Sequence, residues 1–340
     1  MTEKERVIRT LTFDKPDMIP VQSWALDSVP MKYGDAYRQL EAKYCQGFHF
    51  PEYENTMADW QRTLVGKFTD AWGIGWENYK AGIYGEAKYH PLAEDSAIDS
   101  YVSPKRYIWD NFDQIVASCE RNKDKFLLSH WAIDLFERMQ HLRGVENLFM
   151  DIAEENNEFF KIKDIVFDFY EEWLKRWLST DIDGVVFSDD WGTQISTLIS
   201  PTSFRKHFVP MYRELMSRVK AKGKYVFFHS DGYIIDFVPD LIECGVDAIN
   251  MQIWCMDPEE LSRRFRGKVT FWGEISRQVE LPFGTVEDIK NQIRRMKELF
   301  MVNGGGLIGT SAPGDECPLA NCEAGLKYWN PRESVASILS

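Results

Sequence analysis

The sequence predicts a (β/α)8 barrel. Three observations carry this. The chain has 340 residues and no Ser-, Gly- or Pro-rich linker, repeat or low-complexity tract, which suits one large α/β domain with an irregular part over about 1–125. Its second half alternates short apolar runs with helical patterns. The apolar runs end in acids, histidine and amides, as strands do when their C-terminal ends surround a site.

The elements follow in order. Met18–Trp24 (MIPVQSW) is the first strand candidate, and an eighth strand is expected somewhere in residues 60–90. Phe126–Trp131 (FLLSHW) is another. Ile162, Ile165, Val166, Phe169, Trp173 and Trp177 mark a long helix. Then come DGVVFSDD (183–190), YVFFHS (225–230), GVDAINM (245–251), VTFWGEI (269–275) and GLIGTS (306–311). Continuous apolar runs of this kind fit strands buried on both faces of a parallel sheet. Between them, Ser200 and Pro201 start a helix as N-cap and first residue, with Phe204, Phe208, Met211, Leu215 and Val219 at helical spacing. Cys244-Gly245 closes the next helix. Thr285-Val-Glu-Asp288 reads as a capping box, and Asn321 as the cap of a last helix. No G-x-G-x-x-G follows the first strand, so the barrel is preferred to an open dinucleotide-binding sheet.

Composition narrows the function. Hydrophobic residues make up 44% and charged residues 27%, which excludes a mainly disordered chain. The net charge of −13 argues against a general nucleic-acid binder. No 18-residue apolar run occurs, and MTEKERVIRT lacks the apolar stretch of a signal peptide. A cytoplasmic protein with reduced thiols at Cys45, Cys119, Cys244, Cys255, Cys317 and Cys322 is expected.

Candidate site residues lie at the strand ends. His229 and Asp231 are the most specific pair: at His-x-Asp spacing both side chains share one face and point into one mouth. They suit metal ligands or a general acid with its orienting partner, or a hydrogen-bonded pair that shapes the turn at Gly232. Glu274 is a third ligand or a base. Asp189, Asp190, Gln252, Trp24, Trp191 and Ser311 are candidate substrate contacts. His130 reads as structural. Twelve tryptophans supply aromatic walls for a planar or apolar ligand, or simply core. There is no C-x-x-C, G-x-S-x-G, P-loop or H-E-x-x-H.

The stretches DGVVFSDDWGTQISTLISPTSFRKHFVPMY (183–212), YVFFHSDGYIIDFVPDLIECGVDAINMQ (225–252), FWGEISRQVELPFGTVEDI (271–289) and GGGLIGTSAPGDECPLANCEA (304–324), with DKPDMIPV (14–21) more loosely, resemble the uroporphyrinogen decarboxylase superfamily. The resemblance implies a barrel with its site at the C-terminal mouth, and two chemistries. One branch decarboxylates uroporphyrinogen without a cofactor. It uses an Arg-x-x-x-Arg element that VQSWALDSVPMKYGD (21–35) lacks. The other is a zinc-containing branch that moves methyl groups between corrinoid proteins and small molecules. Its His-x-Cys is His229-x-Asp231 here, and its last-strand Cys falls near Ser311. The expectation is a divergent methyltransferase acting between a small O- or N-methylated substrate and a corrinoid (cobalamin) protein. Zinc would be held by His229, Asp231 and Glu274, and the resemblance implies a homodimer. The alternatives are metal-independent decarboxylation of a small carboxylate, and a non-catalytic corrinoid or tetrapyrrole binder.

Overall fold

The computed structural model describes residues 1–57 and 59–330, without the side chains of residues 59, 60, 131 and 132. Its strands are β1 (Val21–Ser23), β2 (Phe48–His49), β3 (Gly66–Thr69), β4 (Gly75–Asn78), β5 (Glu86–Tyr89), β6 (Phe126–Ile133), β7 (Gly184–Ser188), β8 (Tyr225–Ser230), β9 (Ala248–Met251), β10 (Thr270–Glu274) and β11 (Leu307–Ser311). Eight of them form one sheet in the order β1-β11-β10-β9-β8-β7-β6-β2, with parallel pairing throughout. The ring nearly closes where Val21 and Gln46 exchange backbone hydrogen bonds of 3.0 and 3.4 Å. Helices alternate with the strands from residue 135 onward. This is the (β/α)8 barrel the sequence predicts.

The eighth strand is not in residues 60–90. It is the two-residue β2, paired with β6 at Phe48 and His49. Residues 66–89 instead make a separate antiparallel sheet, β3-β4-β5. Two helical expectations also change. The helix begun by Ser200, whose side chain accepts from the Ser203 N–H, runs only over Pro201–His207. A second helix, Val209–Ala221, starts after Phe208 with Pro210 in its first turn, since proline has no N–H to continue the first helix. Asn321 does not cap the last helix, Leu319–Lys327. It lies inside that helix and donates to the Leu281 and Gly284 carbonyls at 3.0 and 2.8 Å. The Thr285–Asp288 capping box is as predicted.

Side-chain parity divides the interior. Phe126, Leu128, Val186, Phe227, Ala248, Trp272 and Ile308 pack together inside the barrel, with Val7 and Leu11 of the helix Glu3–Leu11. The alternate residues Leu127, Val185, Phe187, Val226, Phe228, Ile249, Phe271 and Leu307 belong to the outer core under the helices. Strand side chains alternate with period two. The inner series therefore runs on to Ser188 and Asp190, His229 and Asp231, Asn250, and Glu274. The outer series runs on to Asp189, Trp191 and Ser311.

Candidate metal-binding active site

His229 lies between neighbours set by the parallel register: Ser188 on β7 and Asn250 on β9. Its Nδ1 is 2.5 Å from Asn250 Oδ1, and Asn250 Nδ2 donates to the Trp272 carbonyl at 2.6 Å. Because the amide nitrogen is committed to a carbonyl, the oxygen faces the ring and Nδ1 carries the proton. Nε2 is thereby directed at Asp190 Oδ1 and Asp231 Oδ1, each 3.6 Å away. Trp24 stands edge-on to the imidazole, with centroids 5.8 Å apart.

The loops after β7 and β8 bring the two acids together. Asp190 Oδ1 accepts from the Asp231 N–H at 2.8 Å. Gly232 has φ +80°, and a Cβ there would come within 2.3 Å of the Gly192 carbonyl oxygen, so the two loops touch backbone to backbone only because both residues are glycine. Asp190, His229 and Asp231 offer one nitrogen and two oxygens within 4.8 Å of one another. Tetrahedral bonds of about 2.1 Å separate ligand atoms by about 3.4 Å, so the two histidine-to-carboxylate spacings of 3.6 Å suit a zinc-sized ion. Asp231 is shared, since its Oδ1 also takes Arg277. A metal would compete with that guanidinium or use the carboxylate's other oxygen.

Glu274 is not in this group. It is 2% exposed, and its Oε1 is 3.0 Å from Arg277 Nε. Its Oε2 is buried with no hydrogen-bond partner among the described residues. Burial raises its pKa from 4.5 to about 7, against the pull of Arg277. Asp190 completes the set instead, and burial raises its carboxyl too, with His229 opposing.

Three expected substrate contacts point away from the mouth, as parity requires. Asp189 is fully buried and accepts from the N–H groups of Leu135, Phe136 and Glu137 at 2.8–2.9 Å and from the Tyr212 hydroxyl at 2.5 Å. It caps the helix Leu135–Arg143. Burial pushes its carboxyl up, and these donors, which favour the ionised form, pull it down. Trp191 stacks on Phe136 at 4.0 Å and donates to Tyr212 at 3.0 Å. Ser311 is fully buried, 2.5 Å from where a Cβ on Gly325 would lie. Gln252 accepts from the Gly232 N–H at 3.1 Å and pins that loop. His130 is structural, bonded to the Pro51 carbonyl at 2.8 Å. Cys317 and Cys322 are buried, with sulfurs 3.4 Å apart, and neither lines the mouth.

Above the triad is a cavity of 520 Å³, within the range of small-molecule sites. Trp24, Asp190, His229, Asp231 and Arg277 line one part of it, and Arg62, Trp72, Trp76, Tyr84, Glu137 and His141 another. The β3-β4-β5 sheet supplies Trp76 and, in its first turn, Trp72. Asn250, Arg277, Arg62 and Glu137 were not anticipated from the sequence. Asn250 and Arg277 carried a signal, since Asn250 shares the inward parity of β9 and Arg277 is three residues past Glu274.

The model for uroporphyrinogen decarboxylase (URO-D) matches residues 135–312, more than half of the chain. The chain belongs to the uroporphyrinogen decarboxylase family. The matched region carries β7 to β11 and the whole Asp190–His229–Asp231 triad. A methyltransferase from Methanosarcina mazei has the same fold, with TM-score 0.71, 15% identity, and 97% of this chain and 98% of that one covered. The YdhT protein from Bacillus subtilis is more distant, with TM-score 0.45, 10% identity, and 96% and 90% covered. No curated protein matches. Among the described residues no helix is long and apolar enough to cross a membrane.

Asp189→Ala leaves three helix N–H groups and a buried hydroxyl without their acceptor, and is expected to cost about 3–5 kcal/mol in urea unfolding. Metal binding by the folded fraction is expected to stay unchanged. Glu274 has a folded pKa raised above its unfolded value, so its share of stability is present below about 4.5 and lost as pH rises through about 7. Glu274→Gln should remove that loss, measured as unfolding free energy at pH 5 and pH 8. An unchanged difference between the two pH values would show that Glu274 does not titrate there.

Proposed function

We propose that this family member transfers methyl groups between a small O- or N-methylated substrate and a corrinoid protein. A divalent metal, zinc first among them, would be bound by Asp190, His229 and Asp231. The observation that carries this reading is the imidazole whose Nδ1 is tied to Asn250 while its Nε2 faces two carboxylates at 3.6 Å, on the floor of an aromatic-walled cavity. An outer partner that fixes the ring of a ligating histidine is the usual support of a metal site. The Methanosarcina mazei protein that shares this fold is a methyltransferase, which agrees with the reading.

Zinc would supply Lewis acidity toward a methyl-bearing oxygen or neutral nitrogen that has a lone pair, whereas a methylated ammonium would leave as a neutral amine without that help. The chain's own groups bind and orient. Trp24 shields His229, and the tryptophan walls exclude water from the transferred methyl. Arg277 offsets the negative charge of Asp231 and Glu274.

A second reading has its own observation. Arg62, Arg138 and Arg277 all line the cavity, and guanidinium groups favour a carboxylate ligand. This supports decarboxylation of a small carboxylic acid without metal.

Metal analysis of protein purified without chelator separates the two. About one zinc per chain is expected for the wild type, with its loss in His229→Ala and affinity weakened by about 10- to 100-fold in Asn250→Leu. The zinc-loaded protein is then expected to form methylcobalamin from cob(I)alamin and a methylated donor, followed by absorbance. Folded, zinc-supplemented protein that holds no metal would overturn this reading and leave the decarboxylase.

A further inference from the structure

The charged groups lining the cavity can be paired off. Arg138 meets Asp134 at 3.0 Å and the Tyr170 hydroxyl at 3.3 Å. Arg277 holds Asp231 and Glu274, and Asp190 faces His229. Asp27 is exposed, where water solvates it. His141 remains neutral, since burial, aided by the cations of Arg138 and Arg62, lowers its pKa to about 3. Two groups remain. Among the described residues, Glu137 has no hydrogen bond or ion pair through its side chain and Arg62 has no carboxylate partner, though both line the same cavity.

Their surroundings say what each lacks. Burial, and after it the negative charges of Asp190, Asp189 and Asp134, raises the Glu137 carboxyl well above the usual range. A cation beside it would relieve that field. Arg62 lies over the rings of Tyr84 at 4.5 Å and Trp76 at 5.8 Å, which position its planar fork without satisfying its donors. Arg62 lowers the Glu137 pKa through space, yet the two make no ion pair. A guanidinium and a carboxyl group that share a cavity without meeting leave room for a ligand carrying an anion for the first and a cation that would favour ionisation of the second.

We infer that the cavity takes a small zwitterion with one carboxylate and one methylated ammonium group, Arg62 binding the carboxylate and Glu137 facing the ammonium. A primary ammonium needs acceptors for three N–H groups, whereas much of the cavity wall is aromatic, with Trp72, Trp76, Tyr84, Phe169, Tyr170 and Trp173. Methyl groups remove that need, and aromatic faces attract the charge they carry. Trp72 already holds the Arg138 guanidinium at 4.6 Å in this way. This deepens the methyl-transfer reading, on which the choice of a methylated nitrogen as the donor rests. The charge pattern itself does not depend on that reading.

The test is tryptophan-fluorescence titration of the zinc-supplemented protein, without any corrinoid protein, using three probes. Trimethylglycine carries both charges. Choline keeps the quaternary ammonium but has no carboxylate. The anion 3,3-dimethylbutanoate has the same shape as trimethylglycine with carbon in place of nitrogen. Trimethylglycine is expected to bind roughly 10- to 100-fold more tightly than either. Arg62→Gln should bring it down to the level of choline and leave choline unchanged. Glu137→Gln should bring it down to the level of 3,3-dimethylbutanoate and leave that anion unchanged. Equal binding of trimethylglycine and 3,3-dimethylbutanoate would overturn the ammonium half, and equal binding of trimethylglycine and choline the carboxylate half. No saturable binding by any probe would overturn both. Tight zwitterion binding with no methylcobalamin formed would sink methyl transfer and leave this inference standing. Demethylation of neutral ethers without zwitterion binding would do the reverse.

Discussion

The site depends on one constraint, the parallel register that sets Ser188, His229 and Asn250 side by side on β7, β8 and β9. A shift of one residue in any of these strands would turn its functional side chain out of the barrel. The register holds because the same strands are packed on both faces. Val186 and Phe227 fill the inside, while Val185, Phe187, Val226 and Phe228 lie under the helices. The core thus does more than stabilise the barrel. It fixes which nitrogen of His229 faces the acids, through the Asn250 amide and the Trp272 carbonyl behind it.

The second constraint is charge. Asp190, Asp231, Glu274 and Glu137 are crowded around the mouth of the barrel, and unpaired charge is costly in a desolvated place. Arg277 compensates Asp231 and Glu274. Glu274 and Asp190 still have raised pKa values, with burial the leading cause in both. The chain maintains an excess of acid in a protected cavity, which is a tension a bound cation relieves. A metal between Asp190 and Asp231 and an ammonium beside Glu137 would each relieve a different part of it.

Much of this was legible in the sequence. The barrel followed from the alternation of apolar runs and helical patterns, and His229 and Asp231 followed from their spacing at a strand end. What was missed has physical causes. β2 is two residues long, Phe48–His49, too short to leave a periodic signal, whereas the stronger pattern in 66–89 belongs to a side sheet. Asp189 and Trp191 stand with Asp190 at a strand end, which is what makes them candidates in the sequence, but a strand turns neighbours to opposite faces. Counting parity back from Val186 separates them, and the same count from Ala248 marks Asn250 as inward. Glu137 and Arg62 had no such marker. One lies on the first turn of a helix and the other in a short turn of 3₁₀ helix at Asp59–Thr63. Only the folded chain shows that, among the described residues, Glu137 has no side-chain hydrogen bond or ion pair and Arg62 no carboxylate partner.

The metal site is tested most directly by nitrogen NMR of ¹⁵N-histidine-labelled protein during zinc titration, with His229 assigned by difference from His229→Ala. The Nδ1 of His229 is expected to keep its proton throughout, held by Asn250, while the Nε2 resonance moves to a metal-bound position. Metal binding through Nδ1, or a His229 signal that zinc does not move, would contradict the site described for Asp190, His229 and Asp231.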